Sequence, residues 1–221
     1  MPATLHPYAL VRRIIVAVMT GSLPDEYRED AAGILLDALH SDEDDMRAMA
    51  IVGLNELGET SGRVVPALID ALKDSCEHVR KRATRTLGDF GEGAAESLPA
   101  LIEALDDAKG SVRLEAMASL GRLGAKAAPA IQYLIPLLGH DDSRVRSIAG
   151  STLKKIGHAS VPYLLEAIHD PDAIVRERAA YLLGKFKPEE DEVVEALLEA
   201  CGDFDFDVRR AARGALELLA I

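Results

Sequence analysis

Short apolar stretches with helical spacing recur along the chain, each followed by a polar turn. In residues 112–123 the apolar positions are Val112, Ala116, Leu120 and Leu123. Apolar residues three to four apart lie on one side of an α-helix, whereas a half-buried strand alternates apolar and polar positions. The pattern therefore predicts an α-helix with a single apolar stripe.

The same twelve-residue phrase occurs six times, and we number its positions from one to twelve. Position two is an arginine in every copy, and successive copies are 33, 33, 33, 30 and 33 residues apart. Another apolar helix precedes each phrase across an acidic turn. We predict these first helices at 31–39, 64–72, 98–105, 131–138, 161–168 and 193–200, and the second helices at 46–57, 79–90, 112–123, 145–156, 175–186 and 208–219.

One pair of such helices cannot bury its apolar faces, but stacked pairs bury them as a continuous core. We therefore predict an all-α fold, a right-handed α-solenoid of about six two-helix repeats over residues 30–221. Residues 1–29 are predicted to form an N-terminal helix or a degenerate capping repeat, because Arg12 lies 35 residues before Arg47.

Three local features modify this regular pattern. Pro136 lies inside a predicted first helix and should kink it or loosen its first turns. The link at residues 157–160 is short, accounts for the 30-residue step, and should alter the curvature locally. Glycine at position ten of several second helices, as in Gly88, Gly121 and Gly184, indicates tight packing between neighbouring helices.

The charge and composition exclude several classes of protein. A net charge of −12, with no Trp, argues against a nucleic-acid-binding protein, which needs a basic contact face. No apolar stretch is long enough to span a membrane. Cys76 and Cys201 are far apart in the sequence and suggest no disulfide framework, so we expect a reducing compartment and a cytoplasmic protein.

The sequence offers no catalytic constellation. Its six histidines are scattered, with no His-Glu dipeptide and no His-x-x-x-His pair of the kind that binds metals. Phosphate-binding loops, dinucleotide fingerprints and nucleophile elbows are also missing. We therefore expect neither enzymatic activity nor a metal or other cofactor.

The phrase Asp-x-x-x-x-Val-Arg-x-x-Ala-x-x-x-Leu-Gly resembles the short bacterial type of HEAT-like repeat, as found in phycobilin lyases. The resemblance covers roughly residues 30–221 and implies the α-solenoid fold. Functions vary widely among such proteins. The interpretation we adopt is a non-catalytic scaffold or adaptor for another protein, and the alternative is an accessory subunit of an enzyme such as a bilin lyase.

The same resemblance implies a ladder of acids and arginines that joins adjacent repeats. An arginine fork suits several carboxylate or carbonyl acceptors at once. The candidate ladder residues are the position-two arginines and the aspartates six residues before four of them: Arg47, Arg80, Arg113, Arg146, Arg176, Arg209, Asp74, Asp107, Asp170 and Asp203.

A partner would bind on the concave face, which the second helices generally line in HEAT-like solenoids. Helical spacing exposes positions four, seven and eleven, where the chain has six basic and three acidic residues despite its net charge of −12. We therefore expect a mildly basic face that takes a protein or acidic peptide. Its candidate contacts are Met49, Arg82, Arg85, Glu115, Arg122, Ile148, Lys155, Arg178, Tyr181 and Lys185.

Overall fold

The computed structural model describes residues 7–58, 62–186 and 191–219. These residues are helical or form short turns, and no strand occurs among them. Their contacts divide the chain into two compact units, Met1–Ser119 and Leu120–Ile221. The predicted domain boundary between residues 29 and 30 does not coincide with this division, and it stays a prediction.

The described residues of the first unit form six complete α-helices and most of a seventh. Helix α2 packs against α3 and α4 against α5, and the second helices α3 and α5 also contact each other. Helix α1 packs against α2 and α3, with Val11 and Ile14 buried. The bounds are α1 Pro7–Met19, α2 Arg28–Ala38, α3 Asp44–Leu57, α4 Val64–Ala71, α5 Glu77–Asp89, α6 Leu98–Glu103 and α7 Gly110–Arg122.

The second unit repeats the same arrangement. Helix α10 packs against α11 and α12 against α13, and α11 and α13 contact each other extensively. The bounds are α8 Ile131–Leu134, α9 Ser143–Ile156, α10 Val161–Ala167, α11 Ala173–Phe186, α12 Asp191–Ala200 and α13 Phe206–Leu219. In both units the predicted helix pairs are confirmed, most of them to within three residues at each end.

The predicted apolar stripes form the core. Val112, Ala116, Leu120 and Leu123 are all no more than 1% exposed. The first three corresponding positions of α5 and α13 are buried as well, including Val79 and Val208. Burial of aliphatic side chains on this scale is the main favourable contribution to folding, and it explains how a chain with few aromatic residues forms a stable core.

Position ten of the second helices decides how closely neighbouring helices approach. A Cβ added to Gly88 would lie 2.7 Å from the Cα of Ser119, and one added to Gly184 would lie 2.6 Å from the Cα of Ala215. The predicted tight packing at these glycines is confirmed, since each faces the small residue at position eight of the next second helix. In α9, position ten is instead Lys154.

Two irregularities fall in the fourth repeat. Helix α8 stops at Leu134 and a 3₁₀ turn follows at Pro136–Gly139, so the predicted disruption at the proline is confirmed. The next link contains only a three-residue 3₁₀ turn, His158–Ser160, where the two preceding repeats have seven residues. Its first residue, Gly157, has a φ of 96°, a conformation that glycine adopts readily and other residues rarely.

Candidate functional site

The position-two arginine makes the same hydrogen bond in every repeat. Its Nη1 donates to the backbone carbonyl six residues earlier, over distances of 2.7 to 2.9 Å. This bond crosses the acidic turn and ties it to the first turn of the second helix. The six arginines are Arg47, Arg80, Arg113, Arg146, Arg176 and Arg209.

Three of these arginines also hold an aspartate of the next repeat, 27 residues later. In each pair, Nε and Nη2 donate to the two carboxylate oxygens, which is the bidentate geometry that an arginine fork favours. The distances are 2.6 and 2.9 Å for Arg47 with Asp74, 2.7 and 2.9 Å for Arg80 with Asp107, and 2.8 and 3.0 Å for Arg176 with Asp203. We call these three pairs the ladder pairs.

The ladder pairs are largely shielded from solvent. Their side chains are between 10% and 17% exposed. The hydrogen bonds from the arginines lower the pKa of Asp74, Asp107 and Asp203 below the ordinary value of 3.8, despite partial burial that acts in the opposite direction. The carboxylates are therefore ionised at neutral pH and hold adjacent repeats together.

Arg146 has no ladder partner among the described residues. The aspartate at the equivalent place of the next repeat is Asp170, only 24 residues later, because the fourth repeat is three residues shorter. The carboxylate of Asp170 accepts a hydrogen bond from the backbone N–H of Asp172 but forms no ion pair with Arg146. The Nε of Arg146 is buried without a hydrogen-bond partner, although Nη1 keeps its carbonyl acceptor at 2.7 Å.

The structure places the expected partner contacts on solvent-accessible sides of the second helices, and none of these residues is buried. In the first unit, Arg82 and Arg85 of α5 are exposed, whereas Met49 of α3 and Glu115 of α7 are half-buried. Arg85 lies 3.8 Å from the carboxylate of Asp89 one helical turn away. This surface therefore contains cations that are partly balanced by acids on the same helices.

In the second unit, three of the expected contacts come together in a groove between α9 and α11. They are Arg178, Tyr181 and Lys185, all from α11. The other expected positions, Arg122, Ile148 and Lys155, do not line this groove. Its volume is about 410 Å³, and its full lining is Arg146, Ser147, Gly150, Ser151, Lys154, Glu177, Arg178, Tyr181, Leu182 and Lys185. We call it the α9–α11 groove.

The α9–α11 groove is strongly cationic. It contains four basic side chains and one acidic side chain. The Nζ of Lys185 lies 5.1 Å from the centre of the Tyr181 ring, within the range of a cation–π contact. The Nε of Arg178 is buried without a hydrogen-bond partner and lies 3.9 Å from Glu177. Donors outnumber carboxylates, so the groove suits an anionic group.

The groove exists because α9 and α11 lack the small residues that bring other second helices together. Position ten of α9 is Lys154 and position eight of α11 is Leu182, where the α11–α13 contact has Gly184 and Ala215. Helix α11 consequently packs less extensively on α9 than on α13. Sequence reasoning placed Arg146 in the ladder and overlooked Lys154. The missing glycine and the 30-residue step were the signals that could have identified both.

The described part of the chain contains few other groups that could react or bind a metal ion. Cys76 and Cys201 are free thiols. No group of three His, Cys, Asp or Glu side chains among the described residues could hold a metal ion. Among the same residues, no helix has the length and apolar character that crossing a membrane requires.

Comparison with known proteins identifies the type of repeat. A family model described as HEAT repeats matches three overlapping segments, residues 32–121, 98–173 and 131–217. Curated proteins give no significant match.

Solved structures agree on the fold. The chain is similar to a protein in the complex of CpcE and CpcF of phycocyanin lyase from Nostoc sp. PCC7120, with 25% identity, a TM-score of 0.53, and coverage of 86% of this chain and 77% of that one. It is also similar to an archaeal HEAT-like repeats protein from Thermococcus onnurineus NA1, with 18% identity, a TM-score of 0.57 and 98% coverage of both chains. The predicted all-α fold, an α-solenoid of two-helix repeats, is thereby confirmed.

Proposed function

The chain belongs to the HEAT-repeat family, and on that premise we propose that it is a non-catalytic scaffold whose second helices bind an acidic segment of a partner protein. The observation that carries this proposal is the α9–α11 groove. Its four basic side chains and one acidic side chain stand against a net charge of −12 for the whole chain. A cationic groove in an acidic protein favours an acidic partner.

Electrostatics and side-chain chemistry both support this choice of partner. A local positive field steers an acidic segment toward the groove and disfavours basic surfaces, which raises the association rate and the specificity. Arg178 and Tyr181 belong to residue types that commonly contribute most of the binding energy at protein interfaces. The groove is partly open, as a site that receives a segment of another chain must be.

Charge reversal within the groove tests the proposal. The full chain carrying Arg178→Glu and Lys185→Glu is compared with the unmodified chain as bait in quantitative affinity purification from the native host. The matched control is Lys126→Glu with Lys109→Glu, which makes the same charge change at exposed positions outside the groove. We expect a defined set of partners to bind the unmodified chain and the control at equal levels and to be lost from the groove variant.

The result that would count against the proposal is equally specific. If the groove variant is folded by circular dichroism and retrieves the same partners at the same levels as the control, the α9–α11 groove is not the binding site. Purified partners then allow the salt dependence of the affinity to be measured, since an electrostatic contact weakens as salt increases.

A second candidate function follows from the 25% identity to a protein in the phycocyanin lyase complex. In this alternative, the chain is an accessory subunit of an enzyme such as a bilin lyase. A chain that binds a bilin should change the visible absorbance of the pigment when the two are mixed. We expect no such change for a protein-binding scaffold, so this absorbance measurement separates the two functions.

A further inference from the structure

We infer that Arg146 recognises a carboxylate of the partner, which takes the position that a ladder aspartate occupies in other repeats. The inference rests on the proposed function, because it names the residue of the α9–α11 groove that recognises the acidic segment. It assigns Arg146 a binding role, whereas the arginines of the ladder pairs hold repeats together.

The three ladder pairs show what a position-two arginine does when an acid is within reach. In each pair Nη1 is anchored on the carbonyl six residues earlier, and Nε and Nη2 grip the two oxygens of a carboxylate. Arg146 keeps the first part of this arrangement, with Nη1 donating to the carbonyls of His140 and Asp141 at 2.7 and 2.8 Å. Its guanidinium is therefore anchored as in the ladder pairs.

The second part of the arrangement is missing at Arg146. Its Nε is buried and donates to no acceptor, and Asp170 forms no ion pair with it. A buried donor without an acceptor is unfavourable, and the penalty is larger when the donor carries charge. A carboxylate that enters the groove removes this penalty. Because Nη1 already restrains the guanidinium, little further ordering opposes binding.

The surroundings of Arg146 suit an acidic segment of protein. Lys154 lies on the same helix, and Arg178, Tyr181 and Lys185 lie across the groove on α11. These cations can pair with further acidic side chains along the segment. Since Nε is shielded from solvent, an incoming carboxylate must displace side chains of the groove wall, and the long flexible lysines are suited to move.

A short fluorescein-labelled peptide of alternating Glu and Ser tests the inference by fluorescence anisotropy, with a Gln-Ser peptide as the uncharged control. Arg146→Lys keeps the positive charge and removes the fork, so we expect the affinity for the Glu peptide to fall about tenfold. The matched control is Arg144→Lys on the same helix, which lies outside the groove and pairs with Asp142. We expect this control to bind as the unmodified chain does.

Arg178→Glu separates this inference from the proposed function. If Arg178→Glu abolishes peptide binding while Arg146→Lys leaves it unchanged, the groove binds acidic segments but Arg146 does not read them, and the inference is overturned. If neither substitution changes the affinity, both the inference and the groove assignment fail. Inorganic phosphate is added as a competitor, and displacement of the peptide by phosphate but not by acetate at equal ionic strength would overturn the choice of a carboxylate.

A second variant leaves Arg146 in place and supplies the missing acid from within the chain. Residues 157–160 are replaced by the sequence of the seven-residue link Gly124–Ala130, which restores the 27-residue separation between Arg146 and Asp170. We expect Asp170 to occupy the fork and the peptide affinity to fall, with recovery when Asp170→Asn is added. Equal affinity in the variants with and without Asp170→Asn would contradict the inference.

Discussion

The contacts that α5 makes with α7 and with the turn before α7 in the first unit differ from the contact between α9 and α11 in the second. In the first, Arg80 grips Asp107 and Gly88 lies against Ser119, so that both side-chain charge and backbone approach join the repeats. In the second, Arg146 has no aspartate and Lys154 stands where the glycine would be. The same helical pattern thus leaves the position-two arginine paired with an aspartate in one repeat and, among the described residues, without one in another.

The difference shows how an irregular repeat can leave a charged group unpaired and a groove open. In the ladder pairs, an aspartate of the chain itself accepts the hydrogen bonds of the arginine fork. The fourth repeat is three residues shorter, and among the described residues it leaves the Nε of Arg146 unpaired. Lys154 and Leu182 stand in place of small residues, and a groove of about 410 Å³ lies between α9 and α11. The candidate binding site therefore lies where the chain departs from its regular repeat.

The largest expected effect compares Arg80→Ala with Arg146→Ala. Removing Arg80 leaves Asp107, whose side chain is only 10% exposed, without its ion pair, and we expect a loss of about 3 kcal/mol in the free energy of unfolding. Arg146→Ala removes only hydrogen bonds to backbone carbonyls, and we expect it to lower the free energy of unfolding by about 1 kcal/mol. Urea denaturation followed by circular dichroism measures both variants. Equal losses would show that the ladder pair adds no stability beyond those carbonyl bonds.

The next effect concerns the close approach of helices at position ten. Gly88→Ala would place a Cβ against the backbone of Ser119, and we expect a loss of about 2 kcal/mol from overpacking. The control is Gly214→Ala in α13, where no atom lies within 4 Å of the added Cβ. That substitution should raise stability by about 0.5 kcal/mol through its effect on helix propensity. If Gly88→Ala left the stability unchanged, α5 and α7 would be able to move apart and accommodate the added Cβ without loss.

The smallest effect is the pH dependence of the ladder pairs. Because the hydrogen bond from Arg80 lowers the pKa of Asp107 in the folded chain, the pair contributes stability above pH 3.8 and loses it as the pH falls through the lowered pKa. We expect Asp107→Asn to be less stable than the unmodified chain at neutral pH, and the difference to shrink below pH 3.8. Thermal denaturation at a series of pH values measures it.

Asp142→Asn provides the control for this experiment. The pKa of Asp142 is also lowered, to about 2, but by the neighbouring Arg144 on an exposed surface. Exposed ion pairs add little stability, so this variant should follow the unmodified chain at every pH. A gap between Asp107→Asn and the unmodified chain that persists or widens as the pH falls would show that the carboxylate of Asp107 is not ionised in a stabilising pair.

Much of the fold could be predicted because each repeat carries its own local signals. Apolar residues spaced three to four apart require a helix with one buried side, and this held for Val112, Ala116 and Leu120. The disruption at Pro136 followed from the missing backbone N–H. These features depend on a few neighbouring residues, so knowledge of the tertiary structure was not needed.

The candidate site was only partly predictable. Arg178, Tyr181 and Lys185 were expected as partner contacts from their helical positions, and they line the groove. Ile148 and Lys155 were expected on the same reasoning and do not line it. Helical spacing shows which side chains face outward, but the separation between two helices decides which of them share a groove.

By itself, the sequence determined the helices, their pairing and the arginine at position two, because these follow from local periodicity and short-range hydrogen bonds. Only the tertiary structure decided which arginines meet an acid. Arg47, Arg80 and Arg176 reach carboxylates 27 residues away, whereas Arg146 and Asp170 form no ion pair. An ion pair needs a donor and an acceptor about 3 Å apart, so it depends on how one repeat stacks on the next. The three residues that one link lacks span a longer distance than this.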